Sequence, residues 1–318
     1  MPDMAEAPSQ SSEHLLERGG NVKSHATATA DTAPVAASSP RLYPVTALPP
    51  SASLPESVRV HWKEFLMEGA EIGGLMLSIC FFGALLYSNT SPMHHLALSR
   101  GMNSALMGTA IALTTFTIIR SPFGRRSGAH FNPAITLSFL CLGRIRRWDA
   151  MCYVAAQFVG GAVGVLLAHH LFGARLSEAS VRYLVTVPGS YGDGTAFLAE
   201  LILSGLLMGI VLYASNHRLL TRLSPLFVAL LTIFYYTACP AISGFSVNPA
   251  RTFSSALFAW IWQGIWIYFT APCAGMLMAA GTYIVVMGAD RVYCAKVFHD
   301  MHSPCPFPCH FERLYREA

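Results

Sequence analysis

The stretch Ser127-Gly128-Ala129-His130-Phe131-Asn132-Pro133-Ala134 has a partner in Gly244-Phe245-Ser246-Val247-Asn248-Pro249-Ala250-Arg251, so the triplet Asn-Pro-Ala occurs twice. Each copy follows a long apolar segment and a Gly-containing turn. Each also opens an apolar stretch too short to cross a bilayer, Phe131–Cys141 in one case and Val247–Trp260 in the other. Asn-Pro is an ordinary turn-starting dipeptide, so a single triplet would carry little. Two copies in matching settings imply an internal duplication with a half-helix in each half. Asn at the cap and Pro at the first helical position are favourable helix-start chemistry.

Composition sets the surroundings. The chain has 318 residues, 53% hydrophobic and 12% charged, against about 25% charged in soluble domains. Residues 1–64 and 289–318 hold much of that charge, and the apolar runs between them are nearly free of it. Soluble helices need charge on their outer faces, so the pattern predicts an all-α integral membrane protein. A span needs about 20 apolar residues, and six segments qualify: roughly 66–87, 104–120, 149–172, 195–215, 225–242 and 263–288. Non-helical backbone at membrane depth is tolerated only where it is buried in protein or lines a wet cavity. The two broken elements therefore point to a pore or a binding site.

Three spans per half make the second half enter from the opposite side, giving an inverted repeat of about 65–172 and 195–288. In that arrangement Asn132 and Asn248 both present a side-chain amide near the midplane. Behind each lies the positive end of a helix dipole, about half an elementary charge. A water held there accepts from the two amides, and cations and hopping protons meet a positive barrier. Arg251, on the second turn, projects a fixed charge into the same space in one reading and contacts headgroups in the other.

One side of the membrane carries Arg59, Lys63, Arg120, Arg125, Arg126, Arg144, Arg146, Arg147, Arg218, Arg222, Arg291 and Lys296. The other has Arg100, Arg175 and Arg182. The positive-inside rule then puts both termini in the cytoplasm. Topology accounts for the net charge of +4, and nucleic-acid binding is not indicated. Residues 1–60 are Ala/Ser/Pro-rich without apolar periodicity, which predicts a disordered cytoplasmic tail. They hold no apolar core of a cleaved secretory signal.

Ala70-Glu71 near the start of the first span is echoed by Ala199-Glu200 near the start of the fourth. A carboxylate at membrane depth must face a partner or water. Glu71 and Glu200 either accept backbone N–H groups from the re-entrant loops or form a proton relay, and the structural reading is the expectation. Glu68 lies nearby without an assigned role.

Taken together, the two quoted loops and the paired Ala-Glu dipeptides closely resemble the aquaporin/glycerol-facilitator (major intrinsic protein) family over roughly residues 62–288. The resemblance implies six transmembrane helices with two re-entrant half-helices, a homotetramer, and one hourglass pore per subunit in a plasma or inner membrane. It also implies passive, proton-tight conduction of water or small neutral solutes such as glycerol, urea or ammonia. By the family's spacing, Arg251 and Phe245 occupy two corners of the selectivity ring. Tyr236 falls at the fifth-span corner and Ile111 or Ala112 at the second-span corner. Water-selective members usually carry an aromatic and a His at those last two corners, and this chain departs from both. For Tyr236 a lipid- or core-facing position stands as the alternative, and for Ile111 plain helix packing. His130 is expected to support its loop by a hydrogen bond.

Gly160-x-x-x-Gly164 and Gly205-x-x-x-Gly209 are small-residue pairs that let helices approach closely. Trp260, Trp262, Trp266 and Tyr268 are expected to form an interfacial belt. Cys80, Cys141, Cys152 and Cys273 read as small buried hydrophobes, and Cys239 as a thiol nearer the pore. The segment 291–318 is unusual: Cys294, His299, His302, Cys305, Cys309 and His310 lie close together. Such density can bind zinc, yet Cys305-Pro-Phe-Pro-Cys309 has an atypical gap. The expectation is a protein without cofactor or stoichiometric metal.

Among function classes a passive channel fits best. A secondary active transporter built on an inverted repeat is the alternative, although coupling needs titratable groups beyond Glu71 and Glu200. A vestigial pore would not need both triplets and Arg251. An enzyme is not indicated, since the membrane segments offer no nucleophile–base pair or metal triad.

Overall fold

Ser53 precedes the first helix in an extended conformation, and Pro55 sits in its opening turn, where a missing N–H costs nothing. That helix, α1, runs Leu54–Tyr87. Residues 54–60, expected in the tail, are therefore helical. The computed structural model describes residues 53–316, and the rest of the expected N-terminal tail lies outside the described residues.

The chain continues through α2 (Arg100–Arg120), α3 (Pro133–Cys141), α4 (Arg147–Phe172), α5 (Asp193–Ser215), α6 (Ser224–Ala238), α7 (Pro249–Ala259) and α8 (Ile265–Met287). Of these, α1, α2, α4, α5 and α8 are long and apolar enough to cross a membrane. The expected span 225–242 is interrupted. Helix α6 stops after 15 residues, and Pro240, which has no N–H to continue the ladder, opens a separate turn, Pro240–Ser243. A 3-10 turn, Thr221–Leu223, precedes α6, so this crossing, the fifth along the chain, is a composite. The short helices α3 and α7 are the two half-helices.

Packing repeats between the halves. Helix α1 lies against α4 as α5 lies against α8, while α2 and α6 join the halves. A methyl group on Gly160 or Gly164 would overlap the carbonyl oxygens of Gly69 or Gly73, so glycine permits this approach of α1 and α4. In the second half Gly205 meets Gly275, but Gly209 faces open space and does not take part. Leu113, Leu171 and Val285 project outward among many exposed apolar side chains, as an apolar surround requires.

Contacts at the ends of the helices fix which ends share a face. The starts of α1 and α4 meet through Ser57, His61 and Asp149, and Arg126 after α2 reaches Glu64. Arg125 pairs with Asp300, and Asn216 after α5 accepts from the Tyr293 N–H. These ends, with the C-terminal tail, form one face, called here the tail face. Glu178 joins Ser88 and Thr90 on the far face. The loop before α3 enters from the tail face. The loop before α7 enters from the far face, where the Gly189 N–H donates to Ile242.

Candidate functional site: a cavity between opposed half-helices

The two loops adopt the same unusual backbone. Gly128, Ala129 and Phe131 have φ of 103°, 56° and 30°, and Gly244, Phe245 and Val247 have 71°, 50° and 50°. Left-handed backbone costs a non-glycine residue about 1–2 kcal/mol, and such strain persists only where surroundings over-determine it. Here a buried carboxylate does so in each half. The Ser246 and Val247 N–H groups donate to Glu200 at 2.9 and 2.7 Å, as does the Ser243 hydroxyl at 2.8 Å.

In the first half this position belongs to Glu68, which accepts the His130 and Phe131 N–H groups at 2.9 and 2.7 Å and the Gln157 amide at 2.8 Å. Among the described residues Glu71 accepts only from the Ser127 hydroxyl, at 2.7 Å, so the backbone N–H groups of the loop bond to Glu68 and Glu71 supports the loop through Ser127. The two lie one helical turn apart and face the same loop. The Ala-Glu echo thus aligned the halves one turn out of register. Gly73 follows Glu68 at the interval by which Gly205 follows Glu200, and both glycines sit at helix contacts.

Two further pairs of supports, Tyr153 with Tyr268 and Thr136 with Thr252, lay outside the sequence reading. The Tyr153 hydroxyl donates to the Ser127 carbonyl at 2.7 Å, and that of Tyr268 to the Ser243 carbonyl at 2.6 Å. Tyr268 is thus wholly buried behind a loop and does not belong to the expected aromatic belt, whereas Trp260, Trp262 and Trp266 are exposed. Thr136 bonds the Asn132 carbonyl, and Thr252 bonds Ser246 and Thr186. Asn-Pro-Ala-x-Thr-x-Ser is common to both half-helices, a signal that extends the triplet. His130 supports its loop as expected: Nδ1 meets the Thr136 hydroxyl at 3.1 Å, and Nε2 donates to the Ala295 carbonyl in the tail at 2.6 Å.

The asparagines cap and cross-link. Asn132 Oδ1 accepts from the Ala134 N–H at 2.9 Å, and Nδ2 donates to the Val247 carbonyl at 2.8 Å. Asn248 Oδ1 accepts from the Ala250 and Arg251 N–H groups, and Nδ2 donates to the Phe131 carbonyl at 2.8 Å. The half-helices therefore meet start to start. Pro133 and Pro249 hold the first helical positions, followed by Ala134 and Ala250. Each amide has two N–H donors, and these carbonyl bonds use one of them.

Asn132 and Asn248 line one narrow cavity of about 80 Å³, together with Ile111, Tyr236, Phe245 and Arg251. Ala112 is buried and does not line this cavity. A wider vestibule of about 660 Å³ on the far face is also lined by Tyr236 and Arg251, so this pair stands between the two spaces. The Tyr236 and Phe245 rings meet edge to face at 4.9 Å. Arg251 is 5% exposed, and its Nη1 has no hydrogen-bond partner among the described residues. Elsewhere the cavity wall is mostly aliphatic, with Ile79, Val211 and Val228. At the tail face the lining includes Val297, a contribution the sequence did not signal.

Cys239 packs with Tyr235, Phe245 and Val247 and does not line the cavity. Cys141 is exposed, contrary to the buried position expected, and Cys152 and Cys273 are half-buried. In the tail, Cys294, His299, Cys305 and Cys309 come together, while His302 and His310 stay outside that group.

This geometry defines an all-α membrane protein with two half-helices meeting inside a pore-like cavity. A sequence model of the major intrinsic proteins matches residues 57–283, and the chain belongs to that family. Aquaporin NIP1-2 of Arabidopsis thaliana is 31% identical over 192 residues, which is 58% of this chain and 65% of the relative. Aquaporin Z of Photorhabdus laumondii is 28% identical over 58% of this chain and 83% of its own length. The alignment with the NIP1-2 relative thus falls just short of two thirds of that protein. Among solved structures, the aquaglyceroporin from Plasmodium falciparum superposes with a TM-score of 0.58 at 21% identity, covering 72% of this chain and 99% of its own. That likeness speaks for the fold.

Proposed function

We propose that this protein is a passive channel for water or small uncharged solutes that excludes protons and ions. The observation that carries this reading is the pair of Asn amides facing one cavity, each at the positive end of a half-helix. A permeant oxygen accepts from the free amide hydrogens there. Two opposed dipole ends, each about half a charge, repel cations and break proton hopping.

Arg251, Tyr236, Phe245 and Ile111 form the selectivity ring in this account. The unpartnered Arg251 Nη1 donates to the permeant, and the two aromatic rings pack against its carbon skeleton. Similarity to proteins named aquaporins and to an aquaglyceroporin supports the class and leaves water and glycerol as the two substrates to test. Transport coupling has little to work with. Glu68 and Glu200 are engaged in holding loops, so a change in their charge would disturb the pore itself.

The arginine-rich tail face is the cytoplasmic one on the positive-inside rule, which puts both termini there. A homotetramer in a plasma or inner membrane completes the reading. Proteoliposomes shrunk by sucrose or glycerol and followed by light scattering test it. Fast shrinkage in sucrose with fast re-swelling in glycerol identifies a solute facilitator. Fast shrinkage without re-swelling identifies a water channel closed by Tyr236. Permeability equal to empty liposomes for both refutes the proposal for these permeants.

A further inference from the structure

Residues 292–312 contain no helix and no extended strand, yet much of the segment is buried. Cys294 is 3% exposed, Cys305 fully buried and His299 6% exposed, and Lys296 is 1% exposed. A bound metal ion is one way to hold an irregular segment in a packed conformation.

Four side chains converge inside it. One ligand atom each from Cys294, His299, Cys305 and Cys309 lies within 4.8 Å of all the others. The Cys294 and Cys305 sulfurs are 3.5 Å apart, and His299 Nε2 is 3.2 Å from the Cys309 sulfur. Zinc bonds of about 2.3 Å to sulfur and 2.0–2.1 Å to nitrogen give tetrahedral edges of about 3.5–3.8 Å. The cluster is thus within small side-chain movements of that polyhedron. Phe311 stacks on the His299 ring at 4.0 Å, which fixes the plane of the imidazole. The cysteines are free, not disulfide-bonded.

Lys296 supplies an independent observation. Its ammonium donates to the carbonyl oxygens of Arg125 and Pro304, which are neutral. A buried charge without a counter-charge costs several kcal/mol. Zinc bound by three thiolates and one neutral imidazole carries a net charge of −1, and Lys296 lies two residues from Cys294 in the same buried segment.

We propose that Cys294, His299, Cys305 and Cys309 bind one zinc ion, which locks the tail over the pore's tail-face mouth. Between the first two ligands lie the residues that touch the pore machinery. The Ala295 carbonyl accepts from His130, the Val297 N–H donates to the Gly128 carbonyl at 3.0 Å, and the Val297 carbonyl accepts from Ser224 at 2.8 Å. Val297 lines the cavity itself. Phe307, just after Cys305, stacks on His130 at 5.4 Å. This departs from the metal-free protein expected from the sequence, where the three-residue gap between Cys305 and Cys309 looked unsuitable.

The test is elemental analysis of the full-length protein purified from zinc-containing medium with thiols protected. About one zinc per chain is expected, falling at least tenfold in Cys305→Ser and Cys309→Ser and unchanged in His302→Ala and His310→Ala. If the cysteine variants do not fold, stripped wild-type protein reloaded with cobalt should show thiolate-to-cobalt charge-transfer absorption. Trypsin should cut after Lys296 at least tenfold faster once zinc is chelated. Wild type with neither zinc nor cobalt uptake, zinc retained in the cysteine variants, or a Cys294–Cys305 disulfide in peptide maps would overturn the site. An unchanged cleavage rate would overturn the lock. None of these readouts depends on permeation, so the site and the channel stand or fall separately.

Discussion

Glu68 and Glu71 differ by one helical turn and by what they hold, and that difference is measurable. Glu68→Gln replaces an oxygen that accepts a backbone N–H in a strained loop. Leaving a buried donor unpaired costs about 1–3 kcal/mol. Among the described residues Glu71→Gln disturbs only the Ser127 hydroxyl, and the second Glu71 oxygen has no partner there. Thermal unfolding in detergent should therefore fall clearly for Glu68→Gln and Glu200→Gln and little for Glu71→Gln. Equal losses at Glu68 and Glu71 would contradict the assignment. At the ring, Arg251→Ala should raise proton or cation leak in liposomes while neutral flux persists, and an unchanged leak would remove Arg251 from the filter. The asparagines were legible because a cap followed by Pro has one local meaning. Glu68 was not, since Glu68 and Glu71 share a helix face and only the folded loop selects between them. Tyr153 and Tyr268 escaped because a hydroxyl's partner carbonyl leaves no trace in the sequence.

At the scale of elements, contact between α1 and α4 depends on the absence of side chains. Gly160→Val should destabilise the bundle by about 1–3 kcal/mol through overpacking, because its Cβ would enter the Gly69 carbonyl. Gly209 faces open space, so Gly209→Ala should be neutral or stabilise by up to about 1 kcal/mol through helix propensity. Denaturant titration of both variants in the same detergent checks the contrast, and similar losses would contradict it. From sequence the two Gly-x-x-x-Gly pairs look alike, and only the partner helix distinguishes them. The six apolar runs were legible from hydropathy, except that Pro240 divides the fifth. The boundary at Leu54 was obscured because Pro55, which sits in the first turn of the helix, reads in the sequence as part of a Pro-rich tail.

At the scale of the molecule, the inverted repeat brings one loop from each face to a shared centre, and the two Asn side chains bond across it. That arrangement followed from the duplicated triplet and the parity of three spans per half. The lining contributed by Val297 at the tail-face end did not, because an irregular segment has no periodicity to reveal its destination. The proposed tetramer should appear as a fourfold mass by native mass spectrometry or cross-linking, and a monomer in mild detergent and in lipid would contradict it. The central claim is that a neutral solute crosses passively while charge does not. It is tested most directly in proteoliposomes that report volume and internal pH together. The account predicts fast osmotic volume change with proton leak no higher than in empty liposomes, unaffected by collapsing proton or sodium gradients. Flux that disappears with such a gradient, or proton leak that rises with water flux, would contradict it.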